Sequence, residues 1–200
     1  MKNLIIHISG ASGCGKTTLG NKLKDTFGKK ITVKDLDDLR HEFIKSFYGA
    51  KKWTYINEEK YQEYIDTFID KQKKPLIFVG LNDSYYTNFG KTKNLYFNLH
   101  SHYNYYIDID DSLILKQKCL RTLNEIQTDK MAMNDLLNNN KKFIKMVVGA
   151  IKTRCNAKEN TRINNRWKRD YKKRDYKFMS REGIFKNVSR ILKGNVKIGV

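Results

Sequence analysis

Residues 4–19 read Leu4-Ile5-Ile6-His7-Ile8-Ser9-Gly10-Ala11-Ser12-Gly13-Cys14-Gly15-Lys16-Thr17-Thr18-Leu19. An apolar run opens the stretch, glycines punctuate its middle, and an amphipathic pattern closes it. The run 4–8 shows no polar alternation, which suits a parallel strand covered on both faces. Residues 18–27 carry Leu19, Leu23 and Phe27 at helical spacing. Between strand and helix, Gly10-x4-Gly15-Lys16-Thr17 has the spacing of a phosphate-binding loop. Glycines there permit positive φ and a close backbone approach. Successive N–H groups from Gly13 to Thr18 can then converge on a phosphate, aided by the helix N-terminus. Gly10, Ser12, Gly13, Cys14, Gly15, Lys16, Thr17 and Thr18 are therefore the candidate nucleotide-binding residues. Lys16 is expected to reach the β- and γ-phosphates, and the Thr17 hydroxyl to ligate magnesium. Cys14 reads as a small filler within the loop, although a thiol near a helix N-terminus tends to acidify.

Working outward, strands and helices alternate. A second strand is expected at 31–33 and a helix at 39–48. A third element, 58–73, has an apolar stripe of Tyr61, Tyr64, Ile65, Phe68 and Ile69. Residues 75–81 read as a strand with the chain's one proline at its first position, where a missing donor matters least. A fourth strand is expected at 105–109. Asp110-Asp111-Ser112 would cap the following helix, with Leu113, Leu120, Leu123 and Ile126 on its apolar face. Residues 177–180 and 182–192 suit a fifth strand and a last helix. The alternation predicts an α/β three-layer sandwich around a parallel sheet of about five strands. The whole chain, 1–200, reads as a single domain. The polar, aromatic stretch 82–103 is a possible insertion or functional loop, and 130–177 a basic helical lid region.

Asp35, Asp37 and Asp38 follow the second strand directly. Ligands of open parallel sheets sit beyond the carboxyl ends of strands, so these carboxylates are placed to hold a metal or accept a proton. Asp37 or Asp38 is expected merely to cap the helix from Leu39. The third strand offers no internal carboxylate; Asp83 lies just past its end. His7, His41, His100 and His102 make no metal-binding pattern beyond the lone pair His100-x-His102, too few ligands for zinc. Cys14, Cys119 and Cys155 are widely spaced and read as reduced thiols.

Gly-x-x-Gly-x-Gly-Lys-Thr after a strand, with Asp-x-Asp after the next, resembles the P-loop small-molecule kinases, nearest to shikimate, nucleoside and nucleotide kinases. The resemblance implies a P-loop NTPase fold, ATP and Mg2+ as cofactors, and transfer of the γ-phosphoryl group to a small acceptor, a nucleoside or nucleotide. It implies that Asp35 is the magnesium-linked carboxylate and Asp37 the acceptor-binding or base carboxylate. Arg121, in Lys118-Cys119-Leu120-Arg121, is similar in position to arginines that lead into the kinase lid and offset charge on the transferring phosphate. Arg154, Arg162 and Arg166 are further lid candidates. The glycine triplet of shikimate kinases and the Asp-Gly of nucleotide kinases are both missing after the third strand, which argues against shikimate as acceptor. The chain also resembles P-loop proteins of giant DNA viruses, which implies host cytoplasm as its location.

The chain carries a formal net charge of +19, with 30% charged, 40% hydrophobic and 12% aromatic residues. Residues 141–194 hold 18 Lys and Arg against 4 Asp and Glu, so +14 of the +19 lies there. Such a balance favours anionic partners. Within 162–177, Arg162, Arg166, Lys168, Arg169, Lys172, Lys173, Arg174 and Lys177 interleave with Trp167, Tyr171 and Tyr176. That pattern suits either a nucleic-acid surface with stacked bases or an amphipathic helix with Ile163, Trp167 and Tyr171 turned inward. A nucleic-acid-directed enzyme, such as an RNA-end kinase or an NTPase, and a non-catalytic nucleotide-binding protein are the alternatives. No apolar run approaches the ~20 residues of a membrane span, and the opening residues are too short for a signal peptide, so the location expected is cytoplasmic.

Overall fold

The computed structural model describes residues 3–49, 56–88, 91–128, 134, 137–138 and 140–196. They divide into two compact units: one of Met1–Gly10, Gly15–Asp108 and Asp175–Val200, the other of Ala11–Cys14 and Ile109–Arg174.

The first unit is α/β. Its parallel sheet runs in the order β2-β3-β1-β6-β7, from β1 (Ile5–Gly10), β2 (Thr32–Asp35), β3 (Leu76–Val79), β6 (Tyr103–Ile107) and β7 (Lys177–Met179). The central strand β1 is buried at every residue, which is why its sequence is apolar apart from His7 and Ser9. Register places Ile5 beside Leu76, and Ile6 beside both Ile77 and Tyr103. On one face, α2 (Leu36–Tyr48) and α3 (Glu58–Asp70) cover the sheet. Leu36, Leu39, Phe43, Tyr61 and Ile65 pack there with Ile5, Leu76 and Phe78. On the other, Gly20 of α1 (Lys16–Phe27) sits against Val33 and Val79. A Cβ at Gly20 would come within 3.1 and 3.2 Å of those side chains, so glycine lets helix and sheet close together. The last helix, α7 (Arg181–Val196), runs beside α1: Lys22 pairs with Glu182 at 3.5 Å and lies 4.2 Å over the Phe185 ring.

Several boundaries differ from the expected ones. The helix after β2 begins at Leu36 rather than Leu39, because Asp35 itself is its N-cap and accepts from the Asp37 N–H. The fourth parallel strand covers 103–107 rather than 105–109: Tyr103 and Asn104 extend the ladder with β1, and the Asp110 carboxylate accepts from Ser112 N–H at 2.7 Å to open the next helix. The stretch 82–103 contains a hairpin, β4 (Asp83–Asn88) with β5 (Lys91–Tyr96), forming a separate two-stranded antiparallel sheet. Asn82 Nδ2 donates to the Phe97 carbonyl at 2.6 Å across its base, and Phe97 and Leu99 then enter the core.

The second unit is helical: α4 (Asp111–Thr128), α5 (Lys141–Arg154) and α6 (Ala157–Lys172). The apolar face expected for α4 is wrong. Leu113, Leu120 and Leu123 are 38%, 50% and 46% exposed. Packing instead selects Ile114 and Thr122, both buried, with Lys118 between them on the same i, i+4, i+8 stripe. The inward ridge of α6 is also displaced: Asn160, Asn164 and Tyr171 are buried, while Ile163 and Trp167 are half-buried. Polar partners explain two asparagines inside. Asn160 Nδ2 donates to the carbonyls of Arg154 and Asn156, its Oδ1 accepts from Lys118, and Asn164 Nδ2 donates to Asp111 at 3.0 Å. The expectation of three reduced thiols needs correction as well. Cys119 of α4 and Cys155 after α5 form a disulfide across a sequence separation of 36, too wide for spacing to signal, while Cys14 is buried and takes no part in it. Part of the expected lid region, 130–133, 135–136 and 139, lies outside the described residues. No helix among the described residues is long and apolar enough to cross a membrane.

Candidate functional site

The loop after β1 has the backbone its glycines predict. Gly13 and Gly15 take φ of 86° and 87°, a region other L-residues avoid. The two glycines also have close side-chain neighbours. A Cβ at Gly13 would lie 3.0 Å from Lys118 Cγ, and one at Gly15 only 2.7 Å from Arg181 Nη1. Cys14 N–H closes a turn onto the Ala11 carbonyl at 3.1 Å. Its side chain is fully buried.

In the first unit, Gly15 is the N-cap of α1 and supplies no side-chain cap, and the first helical turn carries no acidic residue. The first-turn N–H groups have no intrahelical partner by geometry. Lys16 Nζ donates to the Gly10 carbonyl at 2.8 Å, folding the side chain back along the loop. The Thr17 hydroxyl donates to Asp35 Oδ2 at 3.3 Å, while Asp35 Oδ1 accepts from Asp37 N–H at 2.9 Å. Gly80 allows this corner to sit close: with φ of 134°, it approaches so nearly that a Cβ would be 3.0 Å from Leu36 Cβ and 3.4 Å from Asp35 Oδ1. Burial raises the Asp35 pKa above the usual carboxylate value. The Asp37 N–H bond and Thr17 oppose that rise, and the charges of Asp37 and Asp38 add to it.

Thr17 and Asp35 are thus within hydrogen-bond reach of each other, while Lys16 is turned to the Gly10 carbonyl. Asp37 behaves differently. It is exposed, and its carboxylate lies 3.5 Å from the guanidinium of the largely buried Arg40. Asp38 is exposed too. The side chain of Asp83 lies outside the described residues.

In the second unit, Ser12, Lys118, Arg121, Thr122, Glu125, Arg154 and Asn160 line a cavity of about 360 Å³. Glu125 bridges two of its cations, accepting from Arg121 Nε at 2.8 Å and Arg154 Nη1 at 2.6 Å. Those bonds, Arg154 first, hold its carboxyl below the usual range. Of the arginines singled out in the sequence, Arg121 and Arg154 meet in one cavity. Arg162 instead forms a two-pronged pair with Glu159 on its own helix, at 2.8 and 2.7 Å.

The histidines serve the fold. His7 is fully buried and bonds the Gly80 carbonyl at 3.0 Å and the Tyr176 hydroxyl at 2.5 Å. His102 Nδ1 accepts from Ile5 N–H, and His100 pairs with Asp66. Among the described residues no group of three or more His, Cys, Asp or Glu side chains is arranged to hold a metal. Magnesium needs no such group, since it keeps waters and substrate oxygens and takes one or two protein oxygens. The Thr17 hydroxyl and Asp35 carboxylate are hard oxygen donors at 3.3 Å from each other and fit that demand.

Sequence reasoning missed Arg181, Lys118 and Glu125. Arg181 lies 166 positions from Gly15 in sequence number, and no motif spacing links them. Lys118 and Glu125 flank Arg121 at i−3 and i+4, a helical relation that was available but offered no reason to select them. No protein-family model matches the chain, and no curated protein matches it.

Proposed function

We propose that the protein is a P-loop NTPase-fold phosphotransferase that moves the γ-phosphoryl group of ATP to a small acceptor of the nucleoside or nucleotide class. The observation carrying this reading is the junction of loop and second strand: Thr17 hydrogen-bonded to Asp35, with Lys16 one residue before. A carboxylate beside that threonine can share a magnesium ion with it. A carboxylate there supports metal-assisted transfer.

The steps assigned to the chain follow from its groups. Loop N–H groups and Lys16 hold the β- and γ-phosphates; to do so, Lys16 exchanges the Gly10 carbonyl for phosphate oxygens. Thr17 and Asp35 would hold Mg2+, which supplies positive charge to the β- and γ-oxygens when bound. The acceptor hydroxyl oxygen bonds to the γ-phosphorus as the bond from phosphorus to the β,γ-bridging oxygen breaks, leaving ADP. Asp37, exposed beyond the strand end, accepts the hydroxyl proton. Arg121 shares a cavity with the loop's Ser12, so its charge is available for an oxyanion beside that residue.

The test is ATP consumption across a panel of nucleosides, nucleotides and oligonucleotides with free 5′ ends. Wild type is expected to phosphorylate at least one. Lys16→Ala should lose nucleotide binding, and Asp37→Asn should bind ATP normally but turn over at least ~100-fold more slowly, the usual scale of a lost general base. Nucleotide binding with no acceptor phosphorylated would leave a binding protein and remove the kinase.

A second reading, an enzyme acting on nucleic-acid ends, is favoured by the exposed cations Arg169, Lys172 and Lys173 at the end of α6. Two of the three aromatic residues of that pattern do not support it: Tyr171 and Tyr176 are 1% and 8% exposed, turned away from any stacked base, while Trp167 is half-buried.

A further inference from the structure

We infer that Arg181 is a nucleotide-binding residue of the phosphate loop, contacting the diphosphate portion shared by ATP and ADP. The inference rests on the nucleotide-binding reading above and adds a side chain that neither motif nor spacing assigns.

Three observations meet at this residue. The first is position. Arg181 opens α7, directly beyond the carboxyl end of β7, the end of a parallel sheet where ligands gather. Its guanidinium and Cδ lie across Gly15, 2.7 and 3.1 Å from where a Cβ would stand. The second is charge. Gly15 is the N-cap of α1, so a guanidinium there faces the positive end of the helix dipole, with Lys16 next in the chain. Like signs at a helix N-terminus are unfavourable. Among the described residues, no carboxylate lies within ion-pair distance of Arg181: the neighbouring Glu182 pairs with Lys22 instead, and α1 brings no acidic residue in its first turn. A cation held against a positive helix end without a counter-charge is in place for an anion. The third is rigidity. The Lys22–Glu182 pair and the contact of Lys22 with the Phe185 ring fasten α7 to α1. Gly183 N–H bonds the Ser180 hydroxyl at 3.1 Å, fixing the turn that starts α7. The base of the Arg181 side chain is therefore fixed relative to the loop, and its planar fork suits phosphate oxygens.

A packing role predicts something different. If Arg181 only filled space above Gly15, truncating it would cost stability and leave nucleotide affinity alone. If it serves the diphosphate, removing it relieves repulsion in the free protein and costs affinity in the complex.

Calorimetric titration of the full chain with Mg2+ and either ADP or a non-hydrolysable ATP analogue separates these. Wild type, Arg181→Ala, Arg181→Lys and Lys16→Ala are compared. Arg181→Ala is expected to weaken both nucleotides by a similar factor, roughly ten- to a hundredfold, the scale of one hydrogen bond to a charged group. Arg181→Lys should recover part of that loss. The melting temperature of ligand-free Arg181→Ala should equal or exceed that of wild type, while its rise on adding ADP shrinks. Unchanged ADP affinity in a variant whose wild type binds ADP overturns the inference and leaves the nucleotide-binding reading intact. So does a loss confined to the ATP analogue, which would move the contact to the γ-phosphate. If wild type binds neither nucleotide, the loop reading fails and the inference falls with it.

Discussion

Asp35 shows how one residue can answer two demands that conflict. Its Oδ1 caps α2 and its Oδ2 receives the Thr17 hydroxyl, so both carboxylate oxygens have structural work before any ligand arrives. Burial and the nearby charges of Asp37 and Asp38 nevertheless raise its pKa, which means the ionised form is penalised in the folded protein. For an acid raised on folding, the penalty is present at neutral pH and disappears as pH falls below the ordinary carboxylate range. Asparagine caps helices as well as aspartate does and carries no charge. Asp35→Asn is therefore expected to melt at the same temperature as wild type or higher at pH 7, while its nucleotide affinity loses the gain that Mg2+ gives wild type. Melting curves and titrations with and without Mg2+ check the pair of outcomes. A variant that is less stable yet keeps its Mg2+ dependence would show that Asp35 is a cap and nothing else. The sequence made Asp35 visible through its place after a strand. It gave the cap to Asp37 or Asp38, because only coordinates show where the helix begins.

At the scale of elements, a chain of three hydroxyl and imidazole groups ties β1, β5 and the start of β7 together. His7 Nε2 bonds the Gly80 carbonyl, which must accept, so Nε2 carries the proton and Nδ1 accepts from the Tyr176 hydroxyl. Tyr176 in turn bonds the Tyr96 hydroxyl at 2.6 Å. Burial lowers the His7 pKa to about 4, the Gly80 bond opposing and the Lys16 charge adding to the fall. The unfolded chain therefore binds a proton below about pH 6.5 that the folded chain refuses. Stability contributed by neutral His7 is fully present above that value. It is lost progressively down to about pH 4, by roughly 3 kcal/mol in all. Urea midpoints measured from pH 7 to 4 should fall more steeply for wild type than for His7→Asn, which keeps a donor and an acceptor but does not titrate. Parallel curves would show that His7 is not the group responsible. None of this chain was legible beforehand, since residues 7, 96 and 176 share no periodicity. The parallel elements were legible because burial on both faces writes a mostly apolar run, as in β3 and, apart from His7 and Ser9, in β1. The hairpin at 83–96 was not: no Asn-Gly or Asp-Gly pair, the strongest short hairpin signal, lies between its strands in the sequence. On α4, leucines at 113, 120 and 123 implied a buried stripe, whereas the second unit packs around Ile114, Lys118 and Thr122, a mixed stripe that hydropathy ranks below the leucines.

For the whole molecule, the unresolved quantity in the sequence was the purpose of +14 charges in residues 141–194. Local pairing removes some of them from consideration: Arg154 is held by Glu125, and Arg162 by Glu159. Arg169, Lys172 and Lys173 remain exposed, with no carboxylate partner among the described residues. Two of the aromatic residues that looked interleaved with them do not share their surface: Tyr171 is buried in the second unit and Tyr176 in the first, while Trp167 is half-buried. What Arg169, Lys172 and Lys173 offer an anionic polymer is charge, and such binding is set by counterion release rather than by base identity. Three lysine and arginine contacts to a single strand give a slope of roughly −2 in log affinity against log salt, at about −0.7 per phosphate. Binding of a fluorescent single-stranded RNA between 20 mM and 200 mM salt, ranges at which such a slope is measurable, is expected to show that slope and no preference among sequences. Replacing Arg169, Lys172 and Lys173 together by alanine should flatten it by about 2 without altering ATP affinity. A strong sequence preference would require base contacts that these residues do not present. Absence of binding even at the lowest salt would remove the nucleic-acid-end enzyme and leave the small-acceptor kinase, whose acceptor need be no larger than a single nucleotide.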